Sequence, residues 1–371
     1  MRLGVRHALV GDVLVRGDVR IADGRVAAVG VMPAGASGLA APGFVDLQVN
    51  GFAGVDFLAA EPADYRTAGA AMAATGVTAY LPTFISAPDA AYDHAVAAAA
   101  AARADAGPGP RILGVHLEGP FLSPRWPGAH DPSHLQAPSL ALIERLERAG
   151  AIALVTLAPE LAGALELIEA LVARGIVVSC GHSDADAAAA GAAFDAGARA
   201  ITHLHNAHRR YAHRDPGLGG VALVRPGVTV QAIVDDVHLA PEVAYAAFLT
   251  ARERFSLVTD AMAAAGLGDG RYRLGSRDVE VAGMTARLAD GTFAGSVLTM
   301  DAAVRNLVAL GASEVEALLA ATRAPARLLG HPTAGVLAPG LPADIVVLDD
   351  ALEVRATLVD GVNAYTRSSP T

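Results

Sequence analysis

The sequence contains no lysine, so its 28 basic residues other than histidine are all arginine. This absence excludes every mechanism that needs a lysine amine. Among these are Schiff-base formation, attachment of pyridoxal phosphate and the lysine grip of a P-loop on nucleotide phosphates. A carbamylated lysine bridging two metal ions is excluded for the same reason.

Cysteine and positive charge are also scarce. The single cysteine, Cys180, cannot form an intramolecular disulfide, and no signal-peptide pattern is present, so we expect a cytoplasmic protein. The formal net charge of -10 argues against nucleic acid or an anionic membrane as a partner. No uninterrupted apolar run reaches the ~18 residues that span a bilayer. An anionic small molecule remains possible, because it needs only one or two local cations.

What the sequence does have is apolar material, 53% of 371 residues, enough for a large core. Both chain ends are rich in short β segments, including an Asp23-Gly24 hairpin signal. We expect residues 1–40 and 335–371 to form one small β-sandwich domain. Residues 41–334 alternate apolar strands with alanine-rich helices, which predicts right-handed crossovers and a parallel sheet.

About eight such units favour a closed (β/α)8 TIM barrel of the α/β class over an open doubly wound sheet. No GxGxxG follows an early strand, which weakens the dinucleotide-binding alternative. A β excursion is predicted over 268–295. The predicted strands are 43–50, 77–84, 112–117, 152–157, 176–180, 200–204, 228–234 and 255–259; the helices include 89–104, 140–148, 161–173, 184–196, 241–251 and 300–310.

Side chains able to bind a metal or move a proton fall at the C-terminal ends of these predicted strands. Barrel enzymes build their active sites at that face, because the βα loops converge there. We therefore predict an active site at the barrel mouth. The residues concerned are Gln48, Asn50, Glu118, His182, His203, His205, His238 and Asp260.

Glu118, His182 and His203 have the donor atoms of a catalytic metal site, in which three protein ligands leave an open position for water. Taken singly, Glu118 could be a salt-bridged residue at a strand end, and each histidine a core residue. As a set they favour a metal. Asp260 could take the water proton and return it to the leaving nitrogen. The alternative for Asp260 is a helix N-cap, since an alanine-rich stretch follows.

Six longer motifs carry a more specific signal. They are Ala41-Pro42-Gly43-Phe44-Val45-Asp46, His116-Leu117-Glu118-Gly119-Pro120-Phe121, Gly181-His182-Ser183-Asp184-Ala185, Thr202-His203-Leu204-His205-Asn206-Ala207, Val258-Thr259-Asp260-Ala261 and Gly295-Ser296-Val297-Leu298-Thr299-Met300. In order and spacing this series resembles the N-acetylglucosamine-6-phosphate deacetylases of the amidohydrolase superfamily. The resemblance runs over nearly the whole chain.

The resemblance implies a reaction and a set of roles. The expected reaction is hydrolysis of N-acetylglucosamine 6-phosphate to glucosamine 6-phosphate and acetate by a metal-activated water. One divalent metal per subunit is expected, zinc first, with iron or manganese as alternatives. Some phosphate contacts would come from a neighbouring subunit, which implies a homodimer. The implied roles are metal ligand for Glu118, His182 and His203, acid/base for Asp260, acetyl contact for His130, sugar-phosphate contact for Asn206, Ala207, Arg214 and His238, and further substrate contact for Ala129, Phe293, Ala294 and Gly295.

For two of these residues the sequence alone also allows a position without a function. Arg214 offers a fork of donors for phosphate, but a solvated surface arginine fits equally well. His130 could be a loop histidine without a role.

The chain also departs from the family pattern. Gln48-Val49-Asn50 replaces the His-x-His that many amidohydrolases use for a second metal, and because amides bind divalent metals poorly, a single metal is expected. Asp236 stands where the family usually has glycine, and its charge would repel phosphate unless it points away. His208 with Arg209-Arg210 forms an unusual basic cluster. His205, His208 and His213 are expected to be ordinary surface histidines.

Three other functions stay open at this point. The same chemistry could act on N-acetylgalactosamine 6-phosphate or on an N-acyl amino acid. A catalytically inactive barrel that serves as a binding protein is the third. Retention of all three metal ligands and Asp260 speaks against that last alternative, since a scaffold has no need of them.

Overall fold

The computed structural model describes residues 1–105, 107–331 and 333–368. The strands are β1 (Val5–Val10), β2 (Val13–Arg16), β3 (Asp18–Ala22), β4 (Arg25–Val31), β5 (Ser37–Pro42), β6 (Phe44–Val49), β7 (Gly51–Phe52), β8 (Val55–Asp56), β9 (Val77–Phe84), β10 (Arg111–Ile112), β11 (Val115–Glu118), β12 (Ile152–Leu157), β13 (Val177–Cys180), β14 (Ala200–Ile201), β15 (Thr229–Ala232), β16 (Phe255–Leu257), β17 (Gly270–Leu274), β18 (Arg277–Ala282), β19 (Thr285–Arg287), β20 (Ile345–Leu348), β21 (Val354–Val359) and β22 (Val362–Thr366). The helices are α1 (Asp64–Ala73), α2 (Asp89–Ala104), α3 (Leu140–Glu147), α4 (Ala164–Ala173), α5 (Ala187–Asp195), α6 (Gly217–Val224), α7 (Pro241–Ala251), α8 (Met300–Ala309), α9 (Glu314–Ala321) and α10 (Arg323–Leu328).

Eight parallel strands form the predicted barrel. Strand β6 pairs with β9, and the sheet then continues in order through β11, β12, β13, β14, β15 and β16. The first and last strands meet beyond their ends, where Val49 and Ala261 form a parallel bridge and the Asn50 N–H donates to the Ala261 carbonyl at 2.7 Å. The (β/α)8 prediction is therefore confirmed, with a barrel that closes at its mouth.

The observed strands are mostly shorter than predicted. The predicted bounds 77–84 and 152–157 are reproduced, whereas the strand predicted over 200–204 stops at Ile201. The reason is local, because His203 adopts a left-handed backbone (φ 29°) that ends the extended conformation.

Two predicted helices begin three residues later than expected, and each start has a visible cause. Helix α4 begins at Ala164 because Gly163 is left-handed (φ 83°). Helix α5 begins at Ala187 because the Asp186 carboxylate accepts the Ala189 N–H at 2.9 Å and caps the helix. The predicted bounds of α2 and α7 are reproduced.

The two chain ends share one six-stranded sheet in the order β2-β1-β5-β20-β21-β22. Strand β20 runs antiparallel to β5, which brings Ile345 opposite Pro42. This sheet and the β3–β4 hairpin, turned by Asp23-Gly24, enclose an apolar core distinct from that of the barrel, including Val5 and Ile21. Antiparallel strands thus form a separate domain, whose boundaries at 1–40 and 335–371 stay a prediction. Residues 369–371 lie outside the described residues.

The β excursion is a three-stranded antiparallel sheet, β17-β18-β19. After β19, the Leu288 N–H donates to the Thr292 carbonyl at 2.8 Å and the Ala294 N–H to Ala286 at 3.0 Å. These bonds fold the following loop back towards the barrel mouth. None of the described helices combines the length and the apolar character needed to cross a bilayer.

Candidate active site

A pocket of about 530 Å³ opens at the C-terminal ends of the barrel strands, where the sequence predicts the site. Most of the predicted residues line it: Glu118, Ala129, His130, His182, His203, Asn206, Ala207, His238, Asp260, Phe293 and Gly295. Two do not. Ala294 is fully buried beside its lining neighbours, and Arg214 is exposed away from the pocket of this chain.

Three of the chemically important side chains leave the strand ends from a left-handed backbone. His182, His203 and Asp260 have φ angles of 49°, 29° and 51°. Non-glycine residues avoid this region, and such conformations persist only where the surrounding structure enforces them. Position 128 requires glycine, because a Cβ there would lie 2.9 Å from His182 Cε1. The mouth is therefore built with strained backbone that aims side chains into the pocket.

The acceptor atoms of Glu118, His182 and His203 converge on one point. Glu118 Oε1 lies 3.2 Å from His182 Nε2 and 2.9 Å from His203 Nε2, and the two nitrogens are 3.1 Å apart. Three electron-rich atoms this close repel one another unless a proton or a cation lies between them. His130 is more distant, its Nε2 being 3.7 Å from Glu118 Oε2, although Glu118, His130 and His182 also satisfy the spacing of a metal site.

Hydrogen bonds to the far ring nitrogens decide which histidines can ligate. His182 Nδ1 lies 3.0 Å from the Trp126 carbonyl, so Nδ1 must carry the proton and Nε2 is free to bind a metal. The Ser86 backbone N–H donates to His130 Nδ1 at 3.0 Å, so in neutral His130 the proton is on Nε2. His130 therefore presents a donor to the pocket, and His203 completes the ligand set better than His130 does.

Burial and charge also suit a cation site. Burial alone would raise the pKa of Glu118, but the surrounding imidazoles, His130 first, hold that pKa well below its usual value. Burial lowers the pKa of His182 to about 4, so its ring is neutral at pH 7. Attraction to Glu118 outweighs burial at His203 and raises its pKa. An ionised carboxylate with a neutral imidazole is the donor chemistry that zinc, iron and manganese accept.

Asp260 is buried beside this cluster and tied to the two amides that replace His-x-His. Gln48 Nε2 donates to both Glu118 Oε1 (2.9 Å) and Asp260 Oδ1 (3.1 Å), and Asn50 Nδ2 donates to Asp260 Oδ1 at 2.6 Å. Burial and the charge of Glu118 raise the pKa of Asp260 to about 7. No helix follows Asp260 in the described structure; turns do, so the N-cap alternative is wrong.

His238 and the loop after β19 also line the pocket. Asp235 Oδ2 accepts a hydrogen bond from His238 Nδ1 at 2.7 Å, with both side chains buried, and this fixes the ring. The ring of Phe293 lies 5.1 Å from that of His238, and the Arg287 guanidinium lies over Phe293 at 4.0 Å. Asp236 has a left-handed backbone (φ 61°), which glycine adopts readily; its side chain is exposed and does not line the pocket.

Sequence reasoning missed several lining residues, of which Trp126 has the clearest structural role. Its indole Nε1 donates to Asp184 Oδ1 at 2.8 Å while its carbonyl holds His182. The available signal was its place on the loop between Glu118 and His130. The missed lining residues are Ile85, Arg125, Trp126, Pro127, Gly128, Arg210, Leu274, Arg287, Gly291 and Thr292.

The expectation of surface histidines in the sixth loop is wrong at two positions. His208 is only 2% exposed, its ring lies 5.8 Å from that of His203, and neither of its nitrogens has a partner among the described residues. His205 is half-buried, and burial lowers its pKa. His213 is exposed, as expected. The sequence lacked any apolar periodicity that would have placed His208 inside.

Known proteins share this architecture. Residues 39–364 match the model of the Amidohydrolase family. N-acetylglucosamine-6-phosphate deacetylase of Homo sapiens is 42% identical over 338 residues, covering 86% of this chain and 82% of the human protein. N-acetylgalactosamine-6-phosphate deacetylase of Escherichia coli O157:H7 is 37% identical over 351 residues, covering 92% and 93%.

Among solved structures, a mutant N-acetyl-D-glucosamine-6-phosphate deacetylase of Mycobacterium smegmatis in complex with N-acetyl-D-glucosamine-6-phosphate matches with a TM-score of 0.93 and 39% identity over 99% of each chain. The family match, these sequence identities and the shared fold together assign the chain to a family. It belongs to the amidohydrolase family, among relatives that remove acetyl groups from amino-sugar phosphates.

Proposed function

We propose that this chain hydrolyses N-acetylglucosamine 6-phosphate to glucosamine 6-phosphate and acetate. The observation that carries the proposal is the convergence of Glu118, His182 and His203 on one point, with Asp260 tied to the same cluster through Gln48. The chain's 42% identity to the human deacetylase supports the same substrate.

Glu118, His182 and His203 would hold one divalent metal, with zinc first and iron or manganese as alternatives. The fit is supported by the free Nε2 of His182 and by the ionised state of Glu118. When bound there, a metal supplies Lewis-acid polarisation of the acetyl carbonyl and lowers the pKa of water. Gln48 and Asn50 present N–H groups to Asp260, which leaves no second ligand set on the first strand and supports a single metal.

Asp260 is the proposed acid/base. With a pKa of about 7 it can accept the proton of the attacking water and later deliver it to the leaving nitrogen as the C–N bond breaks. The amide N–H groups of Gln48 and Asn50 fix the orientation of its carboxylate. His130 would donate its Nε2–H to the acetyl oxygen, where negative charge develops during attack.

The sugar phosphate would occupy the end of the pocket formed by Asn206, Ala207, His238 and the 293–295 loop, with Ala129 on the acetyl side. Ala294 contributes by its place between two lining residues. Arg214 would reach this end from the neighbouring subunit of a homodimer, because within its own chain it lies outside the pocket lining. A cytoplasmic location is part of the proposal and rests on the single, buried Cys180.

One experiment tests the function directly. Purified protein is assayed for acetate release from the 6-phosphates of N-acetylglucosamine and N-acetylgalactosamine, with and without a chelator and after metal analysis. We expect chelator-sensitive turnover with the gluco epimer preferred. Turnover that ignores the chelator, or none with metal bound, would contradict the proposal. A preference for the galacto epimer would favour the second candidate, to which the E. coli O157:H7 relative points.

A further inference from the structure

Three arginines line the pocket, and two of them are committed to neighbouring groups. Arg125 pairs with Asp184 at 2.5 Å. Arg287 lies over the Phe293 ring and donates to the Gly291 carbonyl at 2.6 Å, so it holds the loop after β19. An arginine engaged in this way has fewer donors to offer a ligand.

Arg210 is different from both. It lines the pocket and is exposed, and it has no hydrogen bond or ion pair with any residue in the described parts of the chain. The adjacent Arg209 shows the contrast, because its guanidinium lies 2.7 Å from Asp215 and 3.9 Å from Asp184. The two consecutive arginines therefore differ: Arg209 pairs with Asp215 and stabilises the loop, whereas the donors of Arg210 have no partner among the described residues.

The position of Arg210 matches the expected place of the phosphate. It lies on the loop between β14 and α6, four residues after Asn206 and three after Ala207, both of which also line the pocket. A guanidinium presents paired donors that match two oxygens of a phosphoryl group. Glu118 and Asp260 line the same pocket, so a nearby cation without an acidic partner favours entry of a dianionic ligand.

We propose that Arg210 is a specificity-determining residue that binds the substrate's phosphoryl group within its own chain. The proposal rests on the proposed function and deepens it. Each site would then hold phosphate with His238 and Arg210 of one subunit, before any contribution from a partner. Because a loop arginine with free donors has to be ordered on binding, its contribution lies in substrate affinity and selectivity, and the chemical step is left to Asp260.

Arg210→Ala, with Arg209→Ala as the matched control one residue away, tests this. For N-acetylglucosamine 6-phosphate we expect Arg210→Ala to lower kcat/KM about 10- to 100-fold, mainly through KM, as for loss of a charge-assisted hydrogen bond. The ratio of kcat/KM for the phosphorylated over the unphosphorylated sugar should fall by a similar factor. Arg210→Lys should recover part of the loss, and Arg209→Ala should change the phosphate preference by less than about threefold.

Titration calorimetry with glucosamine 6-phosphate and with glucosamine separates this proposal from the proposed function. Arg210→Ala should erase most of the wild-type preference for the phosphorylated sugar, whether or not acetate is released. If wild type releases no acetate but Arg210→Ala still erases that preference, the reaction is wrong and the arginine assignment stands. The assignment would be overturned if Arg210→Ala kept the wild-type preference for the phosphorylated sugar, or if wild type showed no such preference.

Discussion

Glu118, His182 and His203 differ from Arg210, which lines the same pocket, in how firmly the structure holds them. At the proposed metal end, Glu118, His182 and His203 are each no more than 4% exposed, and the far ring nitrogen of His182 is fixed by the Trp126 carbonyl at 3.0 Å. At the proposed phosphate end, the side chain of His238 is likewise buried and paired with Asp235, but Arg210 is exposed and has no partner among the described residues. Buried charges must be paired, which fixes geometry, whereas exposed arginines keep their freedom. Buried contacts thus fix the geometry of the residues proposed for the chemical step, whereas the side chain of Arg210 can still adjust to a ligand.

The largest loss of turnover should come from a substitution of Asp260, which lies beside the proposed metal ligands. Asp260→Asn keeps the size of the side chain and the room for Gln48 and Asn50, but it cannot carry the proton. We expect turnover to fall about 10²- to 10⁴-fold, as for loss of a general acid/base. Metal content, measured on the same sample, should match wild type because Glu118, His182 and His203 are untouched. A variant retaining more than a tenth of wild-type turnover would remove Asp260 from its role.

His130 should give the second largest effect at the same end. His130→Phe keeps a planar ring but removes the Nε2–H that would face the acetyl oxygen, and kcat should fall about 10²- to 10³-fold, as for loss of an oxyanion donor. Ser86→Ala is the control, because it removes the hydroxyl near His130 Nδ1 but keeps the backbone N–H that fixes the tautomer. Equal losses in both variants would mean that His130 acts only through its surroundings.

The same contrast explains what the sequence could predict. The barrel, its order of strands and the residues Glu118, His182 and Asp260 follow from short contiguous motifs at strand ends. Local periodicity places such residues correctly, because a strand end fixes position without any knowledge of distant contacts. The place of these side chains at the barrel mouth could therefore be predicted before the structure, whereas their roles stay predictions.

The proposed phosphate end was less predictable because segments distant in sequence form it. Arg287 reaches the pocket only through the pairing of β18 with β19 and the turn that returns Phe293 to His238. The burial of His208 and the left-handed backbone of Asp236 depend on tertiary packing that no local pattern encodes. The conformations of the loops could therefore not be predicted from the sequence. Nor could the lack of a partner for Arg210 among the described residues.

Arg214 tests whether the phosphate end is shared between chains. Arg214→Ala alone should lower kcat/KM for the phosphorylated sugar about 10- to 100-fold. If Arg214 acts across a dimer, mixing and reassociating Arg214→Ala with Asp260→Asn chains should restore activity at about a quarter of the sites, because each mixed dimer has one complete site. Arg210→Ala mixed with Asp260→Asn should restore none, since both residues belong to the same site. Recovery in neither mixture would place Arg214 outside the active site or leave the protein a monomer.

The smallest expected effect links the two amides of the first strand to the pH dependence of the reaction. Asn50 Nδ2 donates to Asp260 Oδ1 at 2.6 Å and favours the ionised carboxylate, so it lowers the pKa of Asp260. Asn50→Ala should therefore raise that pKa and move the acid limb of kcat/KM upward by about half to one pH unit, with little change on the alkaline plateau.

Asn50→Asp sharpens the result, because a second carboxylate beside Asp260 disfavours its ionisation further and should move the limb beyond that of Asn50→Ala. A bound divalent cation lowers the pKa of Asp260 in every variant, so the order of the limbs, wild type below Asn50→Ala below Asn50→Asp, carries the test. Coincident limbs in all three would mean that Asp260 does not set the acid limb and that the hydrogen bond from Asn50 only orients the Asp260 carboxylate.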